Sequence, residues 1–93
     1  MFNNQRYITR GIDENVSCYL QNLVWHMISL VPEQDYLQVF ELSEENGMQK
    51  IVHSQEQPEF EKVYYVKAEK PVNSKVFVID DKTHSTMLMN YEY

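Results

Sequence analysis

The chain has 93 residues, a formal net charge of −6 and a pI near 4.9. A chain of this length is expected to form one domain over residues 1–93, because small domains have too little material for a second core. Hydrophobic residues make up 43% of the sequence, which is enough for a core. The acidic balance argues against direct nucleic-acid binding, which needs a basic surface to displace counterions.

The sequence indicates a protein without a membrane partner. No apolar run approaches the roughly 18 residues that a membrane helix needs. The opening MFNNQRYITR is polar and is not followed by the apolar segment of a signal peptide. The single cysteine, Cys18, cannot form an internal disulfide. We therefore expect a protein of the reducing cytoplasm.

The N-terminal third predicts one strand and one helix. Apolar residues alternate with polar or small ones over Arg6–Ile12, which is typical of a strand. A helix is expected over about Asn15–Val31, with Asp13 or Asn15 as its N-cap. Pro32 is expected to end it, because the residue before a proline is pushed out of the helical region.

The predicted helix carries apolar residues on two opposite faces. One stripe is suited to packing on a sheet and consists of Val16, Leu20, Leu23, Val24, Met27, Leu30 and Val31. Trp25 points roughly 180° away from Val16 at helical periodicity. Cys18, Gln21 and Ile28 flank this indole, so the pattern predicts a second, exposed patch as a candidate interaction surface. In the alternative, Trp25 belongs to a core wider than the stripe.

From Tyr36 onward the periodicity changes to two, which predicts strands. The five predicted strands are Tyr36–Leu42, Met48–Ser54, Phe60–Lys67, Lys75–Asp80 and Ser85–Tyr91. The connection Ser43–Gly47 contains an Asn-Gly pair, which predicts a tight hairpin turn. Asp81–His84 is a short polar connection suited to an antiparallel return. Pro58 and Pro71 fall in the remaining connections, where they remove no ladder hydrogen bond.

This order of strand, helix and five strands predicts an α+β fold. We expect a single twisted, largely antiparallel sheet of about six strands, with one amphipathic helix packed on one face. Partial closure of the sheet into a barrel is a second form that the pattern allows.

Five stretches of the chain carry a family resemblance. They are RYITRGI (Arg6–Ile12), DYLQVFEL (Asp35–Leu42), KIVHSQEQPEF (Lys50–Phe60), KVFVIDD (Lys75–Asp81) and STMLM (Ser85–Met89). In this order they resemble an uncharacterised family of small proteins, a domain of unknown function, from Gram-positive bacteria, their phages and resistance-cassette mobile elements. The resemblance brings no catalytic or binding residue. It implies a bacterial, cytoplasmic setting in which small proteins often bind other proteins.

The glutamates form a candidate acidic surface. Its members are Glu41, Glu44, Glu45, Glu56, Glu59 and Glu61. One hypothesis is that they imitate nucleic acid and occupy a DNA-binding protein, which would suit a phage or mobile element. The other is that they form a solvated rim that protects the sheet edges from aggregation.

The spacing of the histidines and aspartates predicts no metal site and no cofactor site. His26, His53 and His84 lie on different elements without a second ligand beside them, and His53 and His84 are expected at the surface. Asp80 and Asp81 with His84 form the one candidate acid-base or metal-binding group. The alternative is a solvated turn, which aspartate favours.

Two further sets of residues have two interpretations each. Arg6 and Arg10 would share one side of a strand about 13 Å apart, either holding an anionic partner group or balancing nearby carboxylates. The C-terminal residues at period two are Met87, Met89, Tyr91 and Tyr93. The methionines are expected in the core, and the tyrosines either fray or anchor self-association.

The leading hypothesis is a non-enzymatic, cytoplasmic protein-interaction or regulatory module that uses the surface around Trp25, with homodimerisation as one use of it. The second is an acidic inhibitor or nucleic-acid mimic that uses the glutamates. The third is a small metal-dependent enzyme that uses Asp80, Asp81 and His84.

Overall fold

The computed structural model describes all of residues 1–93. Its elements in chain order are β1 (Gln5–Ile8), α1 (Arg10–Asn15), α2 (Cys18–Ser29), β2 (Leu37–Glu45), β3 (Met48–Gln55), β4 (Phe60–Val66), β5 (Ser74–Asp80), β6 (His84–Met89) and a 3₁₀ turn (Asn90–Glu92). The α+β class and the single six-stranded sheet are confirmed. The predicted order of strand, helix and five strands is not kept, because two helices separate β1 from β2.

The sheet is open, with strand order β1-β6-β5-β2-β3-β4. Neighbouring strands are antiparallel except β1 and β6, which are parallel. The first strand of the chain therefore lies beside the last one. Because β1 and β4 form the two edges, the sheet does not close into the barrel that the pattern allowed.

Strand β1 is shorter than predicted because Thr9 begins a helix. The backbone of Thr9 is extended, and its Oγ1 accepts a hydrogen bond from the backbone N–H of Ile12 at 3.3 Å, which caps α1. The strand predicted over Arg6–Ile12 is therefore wrong after Ile8. The spacing from Ile8 to Ile12 fits one helical turn as well as two strand repeats, so periodicity could not separate the two.

Helix α2 begins later than predicted, with Ser17 as its N-cap. Ser17 Oγ accepts a hydrogen bond from the backbone N–H of Leu20 at 3.2 Å. The predicted caps Asp13 and Asn15 lie inside α1 instead. Asp13, Asn15 and Ser17 can each cap a helix. Because α1 ends at Asn15, only Ser17 lies at the position that caps α2.

The hairpin between β2 and β3 confirms the predicted Asn-Gly turn. Asn46 and Gly47 have φ angles of 54° and 78°, the two positive values that a type I′ turn requires. The strands reach this turn, so the connection is shorter than Ser43–Gly47. Pro58 and Pro71 lie outside the strands, as predicted.

One face of the sheet holds a single core of 15 buried residues. Its members are Phe2, Ile12, Val16, Leu20, Val24, Trp25, Met27, Ile28, Phe40, Leu42, Ile51, Val76, Val78, Met87 and Met89. The expectation that Met87 and Met89 pack in the core is confirmed. Leu30, predicted in the buried stripe of the helix, is 50% exposed.

The carboxylate of Glu92 holds the C-terminus against α1. It accepts hydrogen bonds from the hydroxyl of Thr9 at 2.6 Å, the backbone N–H of Met89 at 2.8 Å and the backbone N–H of Gly11 at 3.0 Å. These bonds, that of Thr9 above all, lower the pKa of Glu92. The strand predicted to continue to Tyr91 ends at Met89, because the 3₁₀ turn carries Glu92 back to α1.

Gly11 is expected to be required only while Glu92 occupies this position. A Cβ at residue 11 would lie 2.6 Å from Glu92 Oε1. We predict that Gly11→Ala lowers the melting temperature of the wild-type protein by displacing this carboxylate. In a Glu92→Ala background the same change should raise the free energy of unfolding, by up to about 1 kcal/mol, because alanine favours a helix over glycine. Thermal unfolding followed by circular dichroism measures both, and the same sign in both backgrounds would contradict the contact.

Candidate functional site

The surface predicted around Trp25 is not exposed. Trp25 keeps 9% of its accessible area and Ile28 keeps 1%, whereas Gln21 is half-buried and Cys18 exposed. The guanidinium carbon of Arg6 lies 4.6 Å from the centre of the Trp25 ring. The prediction of an exposed patch is wrong for Trp25 and Ile28, because the N-terminal segment folds over this side of α2. The alternative, a core wider than the stripe, is what the structure has.

Arg6 and Arg10 do not form the predicted basic edge. Arg6 covers Trp25, and Arg10 begins α1, where its Nε lies 3.0 Å from a carboxylate oxygen of Glu14. The strand ends between the two arginines, so they do not share a face.

The other face of the sheet has no helix over it. Alternate residues of the four strands β5, β2, β3 and β4 point to this side, and their apolar members are partly or fully exposed. They are Leu37, Val39, Val52, Val63, Phe77 and Ile79. We call these six residues the open face. Register pairs join them in two groups, since Val39 lies opposite Phe77 and Val52 lies opposite Val63. Between β2 and β3 the two groups adjoin only diagonally, because Val39 faces Ser54 and Val52 faces Glu41.

A groove of about 380 Å³ crosses the open face. Its lining includes three apolar side chains, four carboxylates and one lysine: Leu37, Val39, Val52, Asp35, Glu41, Glu56, Glu61 and Lys75. Lys75 Nζ lies 3.7 Å from Glu41 Oε1. The other three carboxylates of the lining form no ion pair within the chain. The groove therefore places apolar side chains among polar ones and carries an excess of negative charge.

The structure divides the predicted acidic surface. Three members line the groove, namely Glu41, Glu56 and Glu61. Glu44 and Glu45 lie beside the hairpin turn, and Glu45 is 3.7 Å from Lys50 Nζ. Glu59 lies in the connection between β3 and β4 and borders a different depression. The strand register places Glu41 and Glu61 in the groove, and the connection that follows β3 adds Glu56.

Asp80 anchors the N-terminus. Its side chain accepts hydrogen bonds from the backbone N–H of Phe2 at 2.6 Å, the backbone N–H of Lys82 at 2.7 Å and the side-chain amide of Asn4 at 3.1 Å. Burial alone would raise the pKa of Asp80, but these bonds and the N-terminal ammonium outweigh it, and the pKa is lowered. The carboxylate of Asp80 is thus buried and already hydrogen-bonded within the chain, unlike the solvated turn residue of the alternative interpretation.

Asp81 organises the turn between β5 and β6. Its Oδ1 accepts hydrogen bonds from the backbone N–H of His84 at 2.9 Å and from that of Thr83 at 3.0 Å. The bond from His84 is the largest cause of its lowered pKa. His84 Nε2 lies 3.2 Å from Asp81 Oδ2. No three His, Cys, Asp or Glu side chains in the structure are grouped so that they could hold a metal ion.

His53 was expected at the surface, and this expectation is wrong. It is 0% exposed and stacks on Phe40, with ring centres 4.2 Å apart. Its Nε2 lies 2.6 Å from Gln38 Oε1, while its Nδ1 has no partner. Burial lowers the pKa of His53 from 6.5 to about 4. Strand periodicity predicts that alternate residues share a face. It does not show which face is buried when the buried side carries polar residues such as His53.

Of the two C-terminal tyrosines, Tyr93 lies at a border of the open face. Tyr91 and Tyr93 are exposed. The ring of Tyr93 packs edge-on against Phe77, with ring centres 5.5 Å apart. Their role in self-association stays a prediction.

These features define a small α+β protein whose single sheet has one covered and one open face. No helix in it has both the length and the apolar character needed to cross a membrane. The chain belongs to the family DUF960, described as a staphylococcal protein of unknown function, whose model matches residues 5–92. The resemblance to an uncharacterised family of Gram-positive bacteria is thereby confirmed.

The fold is similar to one already solved. The crystal structure of a protein of unknown function from Enterococcus faecalis matches with a TM-score of 0.84 and 24% sequence identity, covering 98% of this chain and 92% of that chain. At this identity the likeness shows a shared fold. No curated protein matches the chain significantly.

The buried neutral ring of His53 should give stability a specific pH dependence. The unfolded chain takes up a proton on this ring below about pH 6.5, but the folded protein does so only near pH 4. Stability therefore falls as the pH is lowered through this window, by about 3 kcal/mol in total. We predict that His53→Phe removes this component, whereas His26→Phe, at an exposed position, keeps it. Urea unfolding at pH 7 and pH 4.5 measures the difference, and equal pH dependence in the two variants would contradict it.

Proposed function

We propose that this protein is a non-enzymatic protein-interaction module that binds its partner with the open face of the sheet. The supporting observation is a patch of partly exposed apolar side chains, in two groups that adjoin diagonally between β2 and β3, which no helix covers. Contiguous exposed apolar patches with a polar rim are typical of protein contact surfaces. The contact surface is thus on the opposite side of the sheet from Trp25.

The charge of the groove restricts the partner. Asp35, Glu56 and Glu61 have no cation beside them, and Lys75 is already paired with Glu41. The whole chain carries a net charge of −6. A complementary surface presents apolar side chains flanked by lysine or arginine, which would speed encounter and fix the orientation of the complex. We propose a partner protein with this chemistry.

The nucleic-acid mimic receives less support than this proposal. Glu44, Glu45 and Glu59 lie away from the groove, so the predicted acidic surface is not continuous. The groove also includes apolar side chains, and a surface that replaces phosphates has no need of Leu37 or Val39. No observation in the structure supports the hypothesis of a metal-dependent enzyme that uses Asp80, Asp81 and His84. We place the module in the bacterial cytoplasm, which its single, unpaired cysteine supports.

Peptide selection tests the proposed contact surface without knowledge of the natural partner. Random peptides displayed on phage would be selected for binding to the wild-type protein. We expect the selected sequences to combine lysine or arginine with apolar residues. Tyr36 lines the groove and Tyr19 lies on α2, and they are 50% and 52% exposed. We predict that Tyr36→Ser weakens binding of the selected peptides by at least about tenfold and that Tyr19→Ser leaves it unchanged.

Two results would overturn the proposal. One is a set of selected peptides whose affinity falls with Tyr19→Ser and not with Tyr36→Ser, which would move the contact surface to the helix side. The other is enrichment of acidic peptides, which would contradict the charge argument.

A further inference from the structure

We infer that strand β4 pairs antiparallel with β4 of a second copy, so that the two molecules share one continuous sheet. This goes beyond the proposed function, because it uses the backbone edge of the sheet, although Val63 and Glu61 belong to both surfaces. The argument rests on the unpaired edge, on the exposed side chains of β4 and on its charges.

The backbone of β4 offers a long unpaired edge. All seven of its residues, Phe60–Val66, pair with β3 in unbroken register, so no bulge interrupts the strand. The strand contains no proline. No backbone hydrogen bond outside the helices and strands reaches it. Its outward N–H and C=O groups can therefore accept another strand. The opposite edge, β1, has only four residues.

The side chains of β4 do little to block such pairing. Val63 and Tyr65 are 44% and 49% exposed, and β-branched and aromatic residues favour cross-strand contacts. An edge lysine usually guards against pairing by projecting its charge from the strand. Lys62 instead places its Nζ 5.2 Å from the ring centre of its neighbour Tyr64. Its ammonium group thus lies beside a ring of its own strand.

The sequence of β4 is complementary to itself in one register. A two-fold axis perpendicular to the sheet keeps the open faces of both copies on the same side. With this axis at Tyr64, Val63 lies opposite Tyr65 of the second copy. Extended by one residue beyond the end of β4, the same register places Glu61 opposite Lys67 of the second copy, and each contact occurs twice. Neither Glu61 nor Lys67 forms an ion pair within its own chain.

A charge-exchange experiment tests this register. Sedimentation equilibrium would be measured for the wild type, Glu61→Lys, Lys67→Glu and the variant with both changes. We expect the wild type to dimerise, each single variant to raise the dimer dissociation constant by at least about tenfold, and the double variant to return it to near the wild-type value. Glu14→Lys, which changes the net charge as Glu61→Lys does but lies on α1, should dimerise like the wild type.

Several results would overturn the inference. The wild type could sediment as a monomer even at about 1 mM. The double variant could dimerise no better than the single variants, or Lys67→Glu could be rescued by Glu59→Lys instead, which would shift the register. Circular dichroism of each variant would serve as the control that it is folded. Because Lys67 does not line the groove, loss of dimerisation in Lys67→Glu with retained binding of the selected peptides separates this inference from the proposed function.

Discussion

One short helix cannot cover both faces of a six-stranded sheet. Helix α2 has 12 residues, which corresponds to a length of about 18 Å. Six strands at about 4.8 Å spacing span about 24 Å across the sheet. With α1 it covers one face, where all the residues of the core cluster lie. The other face stays partly exposed, and the groove lies on it.

The width of the sheet depends in turn on how the chain ends are held. Strand β1 lies parallel beside β6, far from it in sequence. Two carboxylates hold the N-terminal segment beside β6. Asp80 accepts a hydrogen bond from the backbone N–H of Phe2, and Glu92 accepts one from the backbone N–H of Gly11. The same N-terminal segment brings Arg6 over Trp25 and closes the helix side of the molecule. Burial of Trp25 and exposure of the open face are thus two results of one topology.

Local chemistry made part of this predictable from the sequence. Asn46 and Gly47 define their turn through backbone preferences alone, and the period-two pattern located β2 to β6. The position of Trp25 was not predictable in this way. A helical pattern shows that the indole lies opposite Val16, but it cannot show whether another element covers it. The parallel pairing of β1 with β6 is a long-range contact that leaves no local signal.

The same limit applies to the candidate site. The glutamates were recognisable as a set, but only the register of β2, β3 and β4 brings Glu41 and Glu61 to the groove that Glu56 also lines. His53 was misplaced because a polar residue on an alternating strand is expected to face solvent. In this protein polar residues of β3, including Gln49 and Gln55, are buried with it. The alternation of residues therefore identified strand β3, but the polarity of its side chains gave the wrong buried face at His53.

The most direct test of the account is site-specific photo-crosslinking in living Gram-positive cells. A photoreactive phenylalanine analogue would replace Tyr36 in one variant and Tyr19 in another, and adducts would be identified by mass spectrometry. The account predicts one discrete adduct from position 36, with a protein that presents basic and apolar residues, and none from position 19. The same adduct from position 19 alone would show that the helix side is the contact surface and would contradict the central claim.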